Sequence, residues 1–265
     1  MELHGLKTRK PRSAGRWYPH GREKHGFKDN PVSSAVISPH AGFYYSGTVS
    51  LEAVSYVKKN RIWIFGTSHY ETPKNGISIF YGDYHSSIGC ALFPRSIHED
   101  DFSSIEKYLS DAGHRTEEHS IENVLYCLNH FKEEAEAFCA LTGISTEEDF
   151  EKISNDIAEV WEKDDSIIVS TDWNHFVSTD VIGGLMEKSA SYLAKGEIGT
   201  LYRLCREGSL EACGIDGLYL AGKILAKTHE NTRFKVLTST DSSKAVEDFK
   251  GLISDTCVGY ISARN

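Results

Sequence analysis

The chain has 265 residues, 40% of them hydrophobic and 25% charged, with a formal net charge of −9. That length can bury a sizeable core, and the acidic balance lacks the basic footprint of a nucleic-acid binder. No apolar run approaches the roughly 20 residues that span a bilayer, and the polar, basic segment Met1–Arg12 has no apolar signal-peptide centre, so a cytoplasmic protein is expected.

In chain order, Ser34–Ser38 is a short buried strand candidate and Thr48–Lys59 reads as a helix. Arg61–Phe65, β-branched and aromatic, reads as a strand, as does Gly76–Tyr81. A helix is expected over Glu99–Ser110, ending near Gly113. Ser120–Lys132 carries Ile121, Val124, Leu125, Leu128 and Phe131 as a helical stripe. Ala137–Thr142 is an apolar strand candidate. Ser145 and Glu148 are spaced as a capping box for a helix carrying Phe150, Ile153, Ile157, Val160 and Trp161. Asp165–Ser170 is a further strand. Ile182–Arg206 reads as helix with breaks near Gly196 and Gly199, and Ile215–Lys227 as helix. Phe234–Thr238 and Thr256–Ile261 close the chain as strands. Alternating helices and near-continuous apolar strands predict an α/β fold, a sheet covered on both faces. No repeat or linker interrupts it, so one domain over 1–265 is expected.

Three of these strands deliver a histidine just past their carboxyl ends: His40, His69 and His175. In open α/β sheets that edge is where ligands bind, and neutral imidazole is the commonest protein metal ligand. Cys213 precedes the Ile215 helix, a position that favours thiolate. His119 and Glu122, three apart at a helix start, can face one side. Two histidines and a cysteine suit zinc or copper; two histidines with Asp172 suit iron(II); Cys213 with a nearby histidine would be a nucleophile and its base. The other five of the six cysteines, Cys90, Cys127, Cys139, Cys205 and Cys257, read mostly as core thiols. His4, His20, His25 and His229, in polar stretches, read as solvated.

Ser13-Ala14-Gly15-Arg16-Trp17-Tyr18, Pro39-His40-Ala41-Gly42-Phe43, Gly66-Thr67-Ser68-His69, Glu118-His119-Ser120-Ile121-Glu122, Thr171-Asp172-Trp173-Asn174-His175 and Cys213-Gly214 follow the order seen in the Memo family. The sequence resembles that family from about Ser13 to Ala263, and departs from it at Ile215-Asp216-Gly217. The resemblance implies a single α/β/α domain akin to the class III extradiol dioxygenases. It places His40, His69 and Cys213 as metal ligands and His175 as acid/base with Asp172 beside it; His119, Glu122 and Trp17 are further pocket candidates. It implies iron or copper, zinc being the further candidate, with redox chemistry, and a cytoplasmic location with a nuclear one also open. A thiolate ligand is oxidisable, which counts against ordinary ring cleavage. The alternative it implies is a catalytically inactive module that binds phosphotyrosine peptides in signalling to the cytoskeleton. Such a site needs cations, and only Arg16 and Lys74 lie near the motifs.

Overall fold

Period-two alternation in the central strands sends side chains to two separate cores, and this sets the layering. The computed structural model describes residues 6–58, 60–94, 103–144, 146–245 and 256–265. Its first strands and helix are β1 (Lys7–Arg9), β2 (Ala35–Ser38), α1 (Phe43–Val54) and β3 (Arg61–Thr67). There follow β4 (Ile77–Ile79), β5 (Gly82–His85), β6 (Cys90–Leu92), a 3-10 turn at Glu106–Tyr108, α2 (Ser120–Leu128) and β7 (Glu134–Thr142). Next come α3 (Glu147–Glu159), β8 (Asp165–Ser170), β9 (Trp173–Ser178), α4 (Ile182–Lys195) and α5 (Ile198–Arg206). The chain closes with α6 (Ile215–Lys227), β10 (Lys235–Asp241), α7 (Ser242–Ala245) and β11 (Thr256–Arg264).

The sheet is mixed, in the order β1-β5-β6-β7-β3-β8-β2-β11-β10, with β4 against β7 and β9 against β11. β6, β7, β3, β8 and β2 run parallel at its centre. Ala35, Ile37, Trp63, Phe65, Ile167 and Val169 join one core with residues of α3 to α6. Their neighbours Val36, Ile62, Ile64 and Ile168 join the other with residues of α1 and α2. Helices therefore cover both faces, as the apolar strands predict.

Several boundaries differ from the sequence reading. α1 begins at Phe43, not Thr48, because Gly42 serves as its N-cap directly after the His40 loop. The described part of the expected 99–110 helix is only the 3-10 turn at Glu106–Tyr108; residues 99–102 lie outside the described residues. Thr146 caps α3 by accepting from the Asp149 amide, one position beyond the expected Ser145; Ser145 itself lies outside the described residues. Gly196 does break the helix, at φ 74°, but Gly199 lies inside α5. Residues 173–175, expected in a loop, open β9, which pairs with β11 across the sheet edge. β1, β5 and β6 carry too little pattern in three or four residues to be read from sequence.

Candidate metal centre

β3, β8 and β2 are neighbours, and their carboxyl ends lie level: Ser38 pairs with Ser170 and Phe65 with Val169. Two residues past β2 stands His40; two past β3 stands His69; two past β8 stands Asp172. α6 begins beside them. A Cβ on Gly214 would meet the Ser170 carbonyl at 2.4 Å, so only glycine lets the helix start this close to β8. That approach brings Cys213 over the strand ends. One ring nitrogen from each imidazole and Sγ of Cys213 lie within 4.8 Å of one another. The His40 and His69 ring centroids are 5.3 Å apart.

The hydrogen bonds fix which nitrogen faces the pocket. Ser170 Oγ donates to the Ser120 carbonyl at 2.6 Å, so at 2.8 Å it accepts from His40 Nδ1. His40 Nε2 then faces Cys213 Sγ, 3.5 Å away. His69 Nδ1 lies 2.9 Å from Glu118 Oε1 and donates to it, which turns Nε2 to the pocket. Buried Glu118 also accepts from the amides of His69, His119 and Ser120 at 2.7, 2.9 and 3.0 Å. A carboxylate behind a histidine fixes its tautomer and raises its basicity as a ligand. Cys213 Sγ accepts from the Asp172 amide at 3.2 Å.

These neighbours set the protonation states. Burial opposes charge on the Cys213 thiol, but the His40 charge and hydrogen bond outweigh it and hold the thiol down to about 6. Burial also opposes charge on His69; its hydrogen bonds to Cys213 and Glu118 outweigh it and hold the ring up to about 10. Against its own burial, Glu118 is brought down to about 2 by the His69 hydrogen bond and charge. Burial pushes Asp172 up to about 6 and His119 down to about 3, the latter helped by repulsion from His40.

The other expected residues divide. Asp172 lines the pocket, its Oδ2 3.9 Å from His40 Nε2 and its Oδ1 held by the His40 amide at 2.9 Å. His175 lies on β9, where Glu211 takes its amide at 3.0 Å and Nδ1 at 2.9 Å. Left-handed φ angles at Asn174 (47°) and Phe176 (56°) flank it, strain of a kind that clusters at functional sites. His119 stacks between Trp17, at 3.9 Å, and His69, at 5.1 Å, its buried Nδ1 without a hydrogen bond among the described residues. Glu122 has different partners: Arg9, the Arg12 and Ser13 amides at 2.9 and 2.7 Å, and Tyr18 Oη at 2.6 Å.

Sequence reading missed Glu118 and Glu211 as supports. The place of Glu118 beside His119 is the available signal for the first; for Glu211 there is none beyond nearness to Cys213 in sequence. His25, expected in solvent, is half-buried against His130 and Phe131. Cys205, expected in the core, is only partly buried, like Cys213.

A layered α/β fold with a His/His/Cys donor group at the carboxyl edge of its sheet defines a protein with metal-capable chemistry at its strand ends. The sequence profile of the Memo-like protein family matches residues 9–264, and the chain belongs to that family. It is 27% identical to a "MEMO1 family protein" of Metallosphaera sedula over 90% of this chain and 84% of that one. It is 23% identical to one of Thermoplasma volcanium, covering 96% of this chain and 97% of the relative, and 24% identical to one of Aquifex aeolicus, covering 94% and 97%.

Proposed function

We propose that this Memo-family chain, as a single domain over 1–265, is a cytoplasmic metal-binding protein that holds iron or copper through His40, His69 and Cys213. The observation that carries the reading is the pair of fixed rings: Ser170 and Glu118 each occupy Nδ1, which turns both Nε2 atoms toward one low-pKa thiol, and a metal would displace the protons they carry. Two imidazoles and a thiolate form a soft, anionic donor set that suits copper(I), zinc or iron held for redox chemistry. A bound ion would supply Lewis acidity and one-electron chemistry there. The chain's own residues orient and move protons. Glu211 holds His175 by Nδ1, so Nε2 is the nitrogen that would take or give a proton if His175 serves as acid/base. Asp172 holds the His40 loop and the Cys213 sulfur in place. A phosphotyrosine peptide in the same cleft would need cations; Arg16 already pairs with Glu117 at 2.9 Å, which favours the metal reading.

Metal analysis of protein purified anaerobically with reductant, followed by calorimetric titration with Fe(II) and Cu(I), tests it. One equivalent in the wild type and at least a tenfold weaker site in His40→Ala/Cys213→Ser is expected. Equal affinity in the two would refute the assignment. Glu118→Gln, which keeps all three ligands, should weaken binding 10- to 100-fold, about the usual effect of losing a ligand's support.

A further inference from the structure

The basic N-terminal segment Lys7 to Arg12 lines a second cavity, which shares no lining residue with the His40, His69 and Cys213 cluster. It has a volume of about 600 Å³, within the range of small-molecule sites, and its walls include Lys7, Arg9, Lys10, Arg12, Arg115 and His114. Phe80 and Pro11 add apolar surface. β1 is the outermost strand of the sheet, so the cavity opens at its edge.

The charges there do not cancel. Arg9 is spent internally: it pairs with Glu122 and donates to the His114 and Glu118 carbonyls at 2.8 and 2.7 Å. Asp111 serves both Lys7, at 2.6 Å, and Arg115. Lys10 and Arg12 are exposed, and their side chains have no anionic partner among the described residues. Among the described residues, the ion pairs of these five cations involve two carboxylates, Asp111 and Glu122, which leaves an excess of three positive charges at this wall on a chain of net charge −9. The local field acts on the neighbours. The hydrogen bond and charge of Lys7 hold Asp111 low, and burial with Arg9 repulsion brings His114 down to about 4. A concave site lined by one sign of charge concentrates ligands of the other.

We propose that this cavity binds the phosphoryl group of a small molecule, with Lys10, Arg12 and Arg115 on the oxygens and Phe80 and Pro11 against any organic part. Guanidinium and ammonium groups form charge-assisted hydrogen bonds to phosphate, and the excess charge matches a dianion or trianion. Two sources share this chemistry, free inorganic phosphates and organic phosphomonoesters.

Calorimetric titration of the metal-free full chain with inorganic pyrophosphate and with adenosine monophosphate decides it. At least one should bind, and Lys10→Ala/Arg12→Ala should weaken it tenfold or more, the loss expected for charged hydrogen bonds. Arg115→Ala should weaken it as well, whereas Lys188→Ala, an exposed lysine on α4, should not. All four positions are exposed, so the fold should survive. Tighter pyrophosphate supports the proposal with a free phosphate as ligand, and tighter monophosphate supports it with an organic ester. No binding of either, or equal losses in Lys188→Ala and the double variant, overturns it.

Discussion

At the scale of single residues, Cys213 and His114 show how burial and neighbours compete. Burial pushes Cys127 and Cys205 up to about 12 and raises Cys139 and Cys257, whereas His40 overrides burial at Cys213. The thiolate, not the thiol, attacks iodoacetamide. In metal-free protein at pH 7, Cys213 should therefore be alkylated before Cys205, which is also partly buried, and before the buried cysteines. Its rate should fall about tenfold per unit below pH 6, and bound Fe(II) or Cu(I) should protect it. Mass-spectrometric mapping that found Cys205 reacting first would contradict this. His114 is fully buried, its Nε2 donating to the Ser78 carbonyl at 2.8 Å. Its folded pKa lies near 4, below the unfolded 6.5, so the unfolded chain binds the extra proton between these values. This group's stabilisation is complete above pH 6.5 and is lost as pH falls toward 4, roughly 3 kcal/mol over the interval. Asp172, raised to about 6, opposes it in part. Ring nitrogen shifts by NMR should show His114 neutral at pH 5; a midpoint near 6.5 would exclude the buried neutral tautomer.

At the scale of elements, the helix ends carry separable contributions. Thr146 accepts from the Asp149 amide at 3.1 Å, and Glu147, Glu148 and Asp149 sit in the first turn, complementing the helix dipole. Thr146→Ala should cost about 1 kcal/mol, the usual loss for a removed N-cap. Gly196 ends α4 in the left-handed region, where an added Cβ would also meet Arg233 Cγ at 3.0 Å. Gly196→Ala should cost about 1 kcal/mol. Urea midpoints measure both, and the two sites lie on different helices, so the double variant should show their sum. An N-cap change without effect would mean that tertiary packing alone holds α3, through Phe150, Ile153 and Ile157. The cap lies one residue beyond the sequence expectation because 145-146 offers both Ser and Thr, Ser being the better N-cap and spaced from Glu148 as a capping box; the apolar stripe behind it is unambiguous. Gly196 and Gly199 likewise looked alike as breakers, and only backbone conformation separates them: the first is left-handed and the second is helical.

At the scale of the whole molecule, the three candidate ligands come from segments after β2 and β3 and before α6, so a bound ion would tie together parts of the chain far apart in sequence. An ion that binds only the folded state stabilises it by about 2.7 kcal/mol at 100 times its dissociation constant. Anaerobic thermal unfolding should rise by several degrees with Fe(II) or Cu(I). His40→Ala/Cys213→Ser should show no rise; a rise of the same size there would place the ion elsewhere. The sequence by itself determined the layered α/β class and strands at Ser34–Ser38, Arg61–Phe65 and Asp165–Ser170, within two residues of those observed, because buried parallel strands are apolar on both faces. It also determined that histidines follow those strands, since a loop residue's place after its strand is local information. Only the tertiary structure decided that β3, β8 and β2 are neighbours, that Gly214 brings Cys213 onto their edge, and that Glu118 and Ser170 set the imidazole tautomers. Each of these is a pairing between residues tens of positions apart, which no local pattern encodes. The same holds for the Lys10–Arg115 cavity: its basic segment is visible in the sequence, but its opposite wall arrives from more than a hundred residues away.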